Sequence, residues 1–334
     1  MKVHSLISDI DPNQWKQLVA KNETASFFQT PECYDFYASL SFMKPFVFGV
    51  SENDILVGLM CGYVIDDGNA IKQFLSRRAI VPGGLLLHPL ISKKALQALL
   101  NRAKQELKKK AIYIEIRNYN DYGFFRSTFE TADFSYQPHM NFHVSTPDVE
   151  KALKQLSTTK RRDIKLSLKE GAEWKETTDL ADLKLYYELL LHLYKTKIKT
   201  PLFPFEFFEK LMDLPNAKLF VVKHQGNIIG GSVCVLLPNQ SVYEWFVCGL
   251  DGQTKNIFPS TLATWAAIEY AANNGFDRFD MMGAGKPDEG YGVREFKARF
   301  GGELVEHGRF LFICKPVLYK IGKKGVEKLK GKKK

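Results

Sequence analysis

Long apolar runs, paired cysteines and clustered histidines are all scarce in this chain, and each shortage closes a class of function. No stretch approaches the ~20 consecutive apolar residues that a membrane-spanning helix requires. The longest run, Ile55 to Ile65, is strand-like. The residues from Met1 to Trp15 include Asp9 and Asp11 and lack the apolar core of a signal peptide. A cytoplasmic chain is expected, with any membrane contact peripheral to the inner face. The five cysteines (Cys33, Cys61, Cys234, Cys248, Cys314) are odd in number, scattered and set in apolar segments, with no C-x-x-C pair. That pattern argues against a disulfide framework and a zinc site. Among the histidines only His139 and His143 have ligand-like spacing, and Pro138 with the alternation around them reads as an ordinary strand. No metal is expected.

What is present describes a globular protein long enough for two domains, because single cores seldom grow past roughly 250–300 residues. An apolar fraction of 45% and a charged fraction of 25% suit such a chain. The charge is unevenly placed. Residues 1–150 carry 16 Lys and Arg against 16 Asp and Glu, whereas residues 151–334 carry 31 against 21. Within the second half, Lys315 to Lys334 contribute nine lysines and one glutamate, so the basic balance is mainly a property of the tail.

The same order of elements occurs twice. Phe46 to Val50 and Ile55 to Ile65 flank the turn Ser51-Glu52-Asn53-Asp54, a hairpin signal. A basic, glycine-containing crossing from Arg77 to Gly84 follows. Next comes a helix in which Leu96, Leu99, Leu100, Ala103 and Leu107 share one face behind Ser92 as N-cap, and then the strand Ile112 to Arg117. Later, Phe220 to Lys223 and Ile228 to Leu237 flank Gln225-Gly226-Asn227. The strand Val242 to Cys248, a helix from about Pro259 to Asn273 and the strand Phe276 to Met281 come after. Setting Asp54-Ile55-Leu56-Val57-Gly58 on Asn227-Ile228-Ile229-Gly230-Gly231 reveals a weak internal duplication.

The stretch from Met282 to Gly302 is Gly-rich and charged. Gly283, Gly285, Gly290 and Gly292 permit positive φ and close backbone approach, and Phe296 and Phe300 sit four apart around Lys297 on a short helix. It reads as an active-site loop. The run Gly292-Val293-Arg294-Glu295-Phe296-Lys297-Ala298-Arg299-Phe300-Gly301-Gly302 resembles the signature of FemAB-like acyltransferases, within the wider GNAT superfamily. Lys160-Arg161-Arg162-Asp163-Ile164-Lys165, Gly230-Gly231-Ser232, Pro259-Ser260-Thr261-Leu262 and Gly275 to Asp280 match in the family's order, and Phe27-Phe28-Gln29-Thr30 resembles its opening motif.

The resemblance implies an α/β fold of tandem GNAT-like domains, with mixed, largely antiparallel sheets flanked by helices, facing across a cleft. The expected domains are 1–147 and 148–316, divided at the linker-like Ser145-Thr146-Pro147-Asp148, with a basic tail over 317–334. It further implies an acyltransferase of bacterial type that forms an amide on an amino group of a cell-envelope precursor. The donor would be a co-substrate, aminoacyl-tRNA or acyl-CoA, with no tightly bound cofactor.

Lys297 matches the family lysine that stabilises the tetrahedral oxyanion, a contribution on the order of 3–4 kcal/mol for one preorganised donor. Glu244 lies mid-strand where GNAT relatives often hold a general base; the alternative is a carboxylate facing solvent on an alternating strand. Asp280 is read as an ion pair holding the loop. Arg161, Arg162 and Lys165 lie on a capped basic helix behind Ser157, with Lys169 sharing the face of Arg162 and Lys165, suited to phosphates or simply to water. Lys197 and Lys199, in the aromatic Tyr194 to Phe208 region, correspond to a basic residue that contacts acceptor phosphate in FemAB relatives. Lysines there, in place of the arginine-containing form, weigh against a UDP-muropeptide acceptor. Tyr291 and Arg294 are assigned with the loop to substrate binding.

Coenzyme A-binding GNATs cradle pyrophosphate in a Q/R-x-x-G-x-G/A turn at a helix N-terminus. Here the matching Gln253-Thr254-Lys255-Asn256-Ile257-Phe258-Pro259-Ser260 lacks those glycines, with Lys255 left as an anion ligand. Two other functions stay open: a GNAT-type N-acyltransferase using acyl-CoA or acyl carrier protein for polysaccharide or lipid modification, and a non-catalytic tandem-GNAT binding module. The tail suits an anionic lipid surface, worth ~1 kcal/mol per lysine, the backbone of tRNA, or plain solvation.

Overall fold

The computed structural model describes residues 1–65, 77–288, 290 and 292–331, with side chains to residue 323. It divides into two compact units, Met1–Pro138 with His307–Lys334, and His139–Glu306.

The first unit is built on a sheet of β1 (Lys2–His4), β2 (Met43–Glu52), β3 (Ile55–Ile65), β4 (Arg78–Gly83), β5 (Leu86–Leu87), β6 (Tyr113–Asn118), β7 (Ser135–Gln137) and β15 (Arg309–Ile313). The strand order is β1-β2-β3-β4-β6-β15-β7, with β5 beside β3, and only the β4–β6 pair is parallel. The β2–β3 turn forms at Asn53 and Asp54, both at positive φ. The segment expected as a basic crossing is instead β4, because Ala79, Ile80 and Val81 are apolar and fully buried between β3 and β6. The helix Lys93–Leu107 provides the crossover from β5 to β6. Ser92 caps it by accepting from the Ala95 amide at 3.0 Å, and Leu96, Leu99, Leu100, Ala103 and Leu107 are its buried stripe. Gln29 of the opening motif is buried; its amide donates to the Gly83 carbonyl and its Oε1 accepts from Ser26 N, pinning that turn to β4.

The second unit repeats the plan. Its sheet holds β8 (Met140–Ser145), β9 (Ala172–Thr177), β10 (Ala217–His224), β11 (Asn227–Leu237), β12 (Ser241–Gly249), β13 (Arg278–Gly283) and β14 (Glu303–Glu306), ordered β14-β8-β13-β12-β11-β10-β9. The parallel pair is β12–β13, joined through the helix Pro259–Asn273. The domain division differs from the expected one at both ends. β8 lies in the second unit's sheet between β13 and β14, and β15 lies in the first unit's sheet between β6 and β7. Each unit therefore receives one internal strand from a neighbouring stretch of chain, so a boundary at 147 falls after β8 has already joined its sheet.

Gly230 and Gly231 fix the layers of the second unit. Successive strand residues face opposite sides, and a Cβ at Gly230 would lie 3.0 Å from Pro259, whereas one at Gly231 would lie 2.9 Å from the Tyr186 ring and 2.5 Å from the Phe220 carbonyl oxygen. The helix Pro259–Asn273 thus covers one face, and the helix Leu180–Leu193, which bears Tyr186, covers the other. Gly231→Ala is expected to lower stability by about 1–3 kcal/mol, the ordinary cost of overpacking. Urea unfolding checks it, and an unchanged midpoint would show that the two layers have slack.

Candidate active site

The loop after β13 is organised by one ammonium. Lys297 lies on the short helix Gly292–Ala298, and its Nζ donates to the backbone carbonyls of Met281, Met282 at 3.2 Å and Gly283 at 3.0 Å. Three carbonyls meet the three N–H donors of a lysine. The residue is 8% exposed. Desolvation depresses its pKa, opposed by the charges of Glu244 and Asp280.

Glu244 is 4% exposed, so it is not a carboxylate facing solvent. It shares the face of β12 under the helix Pro259–Asn273; the register with β11 then shifts, placing Val233 opposite Phe246 and Cys234 opposite Glu244, so Trp245 is the extra residue. Trp245 and Phe246 both pack on Phe207, on the other face. Burial pushes the Glu244 carboxyl up to about 7 against the pull of Lys297. Its carboxyl shares this buried space with the hydroxyl of Thr264, which favours the charged form. When ionised, Glu244 interacts with the Lys297 ammonium by charge.

Asp280 behaves as expected, holding the loop. Fully buried, its Oδ1 accepts from Asn141 Nδ2 at 2.8 Å and from the Met282 amide at 2.7 Å, and His143 Nε2 stands 3.3 Å from Oδ2. Desolvation opposes its charge, but His143, Arg278 and Asn141 keep its pKa below the usual range.

Lys160 is the residue whose importance sequence reading passes over. It begins the buried stripe Lys160, Asp163, Ile164 and Ser167 of the helix Thr158–Lys169. Its Nζ donates to Thr261 Oγ1 at 2.6 Å and sits 4.0 Å from the Phe296 ring centre and 5.0 Å from that of Phe300. Burial lowers its pKa to about 8. The spacing i, i+3, i+4, i+7 was readable, but two charged residues and a serine in the stripe concealed an inward face.

The other predicted residues are mostly on the surface. Arg161 binds the Lys154 carbonyl, Arg162 approaches Asp163, and Lys165 is exposed, so that helix face points to water. Lys197 and Lys199 are exposed after the helix Leu180–Leu193, while Phe205 and Phe208 pack on Tyr187 and clamp the region. They therefore follow the sheet face opposite the helix Pro259–Asn273. Lys255 is exposed in the turn before that helix. Arg294 spends its guanidinium on the carbonyls of Ala284, Lys286 and Pro287, which makes it a loop clamp. Tyr291 lies outside the described residues. Among the described residues no group of three or more His, Cys, Asp or Glu is placed to hold a metal, and no helix is long and apolar enough to cross a membrane.

The N-terminus of the helix Pro259–Asn273 is already supplied with an anion. Phe258 offers no side-chain cap; instead the Asp251 carboxylate accepts from the Ser260 amide at 3.2 Å and from the Ser260 hydroxyl. A carboxylate there satisfies the helix dipole and a free N–H together.

Comparison with known proteins agrees with this architecture. The acetyltransferase (GNAT) domain family matches residues 154–297, a span that ends on Lys297. No curated protein matches the sequence. Among solved structures, FemX superposes with a TM-score of 0.73 at 16% identity, covering 96% of this chain and 99% of its own. A tandem GNAT protein from the clavulanic acid biosynthesis pathway gives 0.60 at 12% identity over 94% and 98%. L-PGS from Bacillus licheniformis gives 0.56 at 14% identity over 94% and 96%. Residues 154–297 thus form a GNAT acyltransferase domain, in a chain that shares its fold with FemX.

Proposed function

We propose that the protein transfers an aminoacyl unit from aminoacyl-tRNA to an amino group of a cell-envelope precursor. The observation that carries the choice of donor is the Asp251 cap. An acyl-CoA bound in the usual GNAT manner places its pyrophosphate at the helix N-terminus where Asp251 already accepts from the Ser260 amide, so it would have to displace a carboxylate and overcome like-charge repulsion. A tRNA ester needs no such seat, and the exposed Lys165, Lys169 and Lys255 offer it a basic surface. The neighbours FemX and L-PGS support transfer of an acyl or aminoacyl group to an envelope component as the general class.

In this reading the acceptor amine attacks the ester carbonyl, the new C–N bond forms, the C–O bond to the ribose breaks, and the amine proton ends on the ribose oxygen. Lys297 stabilises the oxyanion. Because its three donors are engaged, it serves the oxyanion by exchanging one carbonyl, and the 3.2 Å bond to Met282 yields most easily. Glu244 sets the charge of Lys297 from behind. The helix Pro316–Gly331 gives peripheral contact with an anionic membrane: Val317 and Ile321 are exposed one turn apart in a lysine-rich segment.

Lys297→Ala is expected to reduce turnover at least ~100-fold and to lower the melting temperature, since three carbonyls lose their donor; lost stability with full activity would sink the catalytic assignment. Charged tRNA should bind purified protein saturably and with steep salt dependence, measured beside acyl-CoA under the same conditions. Tight binding of acyl-CoA instead would transfer the reading to CoA-dependent N-acylation. Glu244→Gln should gain stability relative to wild type as pH rises. A carboxyl whose folded pKa is raised from 4.5 to about 7 contributes stability only while protonated and loses it as pH climbs through that range, on the order of 3 kcal/mol. Thermal melts of both proteins from pH 5 to 8 read this difference, and a slope of opposite sign would mean an ionised Glu244 paired with Lys297.

A further inference from the structure

We infer that Asp280 is the positioning residue for Lys297: by fixing the Met282 backbone in a left-handed turn, it aims the carbonyls that hold the ammonium. The inference deepens the reading of Lys297 as the catalytic cation and rests on it only for its consequence in turnover. Met282 has φ of +56°, a conformation that L-residues other than Asn and Asp seldom adopt without compensation. The compensation is visible. The Met282 amide donates at 2.7 Å to Asp280 Oδ1, two residues before it, so the carboxylate closes a local turn around the strained residue. The carbonyls immediately before, at and after this position, from Met281, Met282 and Gly283, converge on Lys297 Nζ. A relaxed strand would send successive carbonyls to alternate sides. Three consecutive carbonyls on one cation require the turn.

The carboxylate is itself held from β8. Asn141 Nδ2 donates to the same Oδ1 at 2.8 Å, and His143 stands beside Oδ2 at 3.3 Å. β8 is paired with β13 through Asp280↔His143, and after that pair the register shifts before resuming at Gly283↔Asn141. The irregularity falls where the cage is made. The charged and titratable groups around Asp280 are His143 and Arg278, with Tyr243 on β12; those around Lys297 are Asp280 and Glu244. Asp280 thus acts twice on Lys297, through the backbone and as a buried counter-charge.

The two actions separate in substitutions. Asp280→Asn retains an oxygen for the Met282 amide and removes the charge, whereas Asp280→Ala removes both. The measurement is the rate of acetylation of individual lysines by an amine-specific reagent across pH, read by mass spectrometry on the full chain without substrate. It therefore stands whether or not tRNA proves to be the donor. Buried Lys160 is the internal control for general opening, and exposed Lys255 the reference for reagent. In Asp280→Asn, loss of a nearby opposite charge should move the Lys297 midpoint to lower pH, raising its rate at fixed pH about tenfold or more, with Lys160 unchanged. In Asp280→Ala the Lys297 rate should rise further at every pH. A Lys297 rate in the folded Asp280→Ala protein no higher than in Asp280→Asn would overturn the inference. So would a joint rise of Lys160 and Lys297 in both variants, which would mark Asp280 as a residue of the fold alone. If Asp280→Ala does not fold, Asp280→Val, which fills the carboxyl's space but cannot accept from the Met282 amide, is read in its place.

Discussion

The ammonium of Lys297 in its three-carbonyl cage is the constraint on which the rest of the second unit depends. Burying a lone cation is prohibitively costly unless hydrogen bonds and counter-charges replace its water. Here the carbonyls of Met281, Met282 and Gly283 replace the water, and Asp280, joined by Glu244 only once it ionises, provides the charge. Each of those groups demands its own support. Asp280 needs Asn141 and His143 from β8, which requires β8 to lie beside β13 in this sheet. Glu244 needs the cover of the helix Pro259–Asn273. The placement of a strand from before the repeat into the middle of its sheet is thereby tied to the chemistry at the loop.

Two lysines of different character flank the same aromatic pair. Lys297 points from between Phe296 and Phe300 in sequence toward the end of β13, while Lys160 lies over both rings and reaches Thr261 in the first turn of the helix Pro259–Asn273. Lys160 feels Asp163 and Asp251 as counter-charges, and Asp251 in turn caps the helix at Ser260. A helix N-terminus, a carboxylate and a buried ammonium form a closed electrostatic set there, and an incoming anion would find its complement already taken. In the proposed reading this cap supports a donor other than a pyrophosphate-bearing thioester, beside the absence of glycines from the preceding turn.

The periodicities that involve only apolar residues were legible in the sequence. The stripe of the helix Lys93–Leu107, the Ser92 cap and both hairpins stand where alternation and turn chemistry put them. The duplication was legible for the same reason, since equivalent strands and crossover helices repeat an apolar pattern. What the sequence hid were arrangements made between distant residues. β8 and β15 are ordinary alternating segments whose sheet membership follows from pairing across more than a hundred residues. Arg294 and Lys297 sit three apart on one motif and both end on backbone carbonyls; composition identifies them as cations and cannot say whether they face a substrate or the chain itself.

That distinction bears on how the loop works. A cation committed to an oxyanion in advance would need a vacant coordination direction facing the reacting carbon. Lys297 instead rests on carbonyls that are weaker partners than an oxyanion, because a full negative charge makes a shorter and stronger hydrogen bond than a neutral carbonyl does. In the proposed reading, exchange of one carbonyl for a developing oxyanion gains energy only as charge accumulates, which is the differential stabilisation that lowers a barrier without tightening the ground state. The cage keeps the ammonium oriented and desolvated, and the left-handed turn at Met282 is what brings its three carbonyls together.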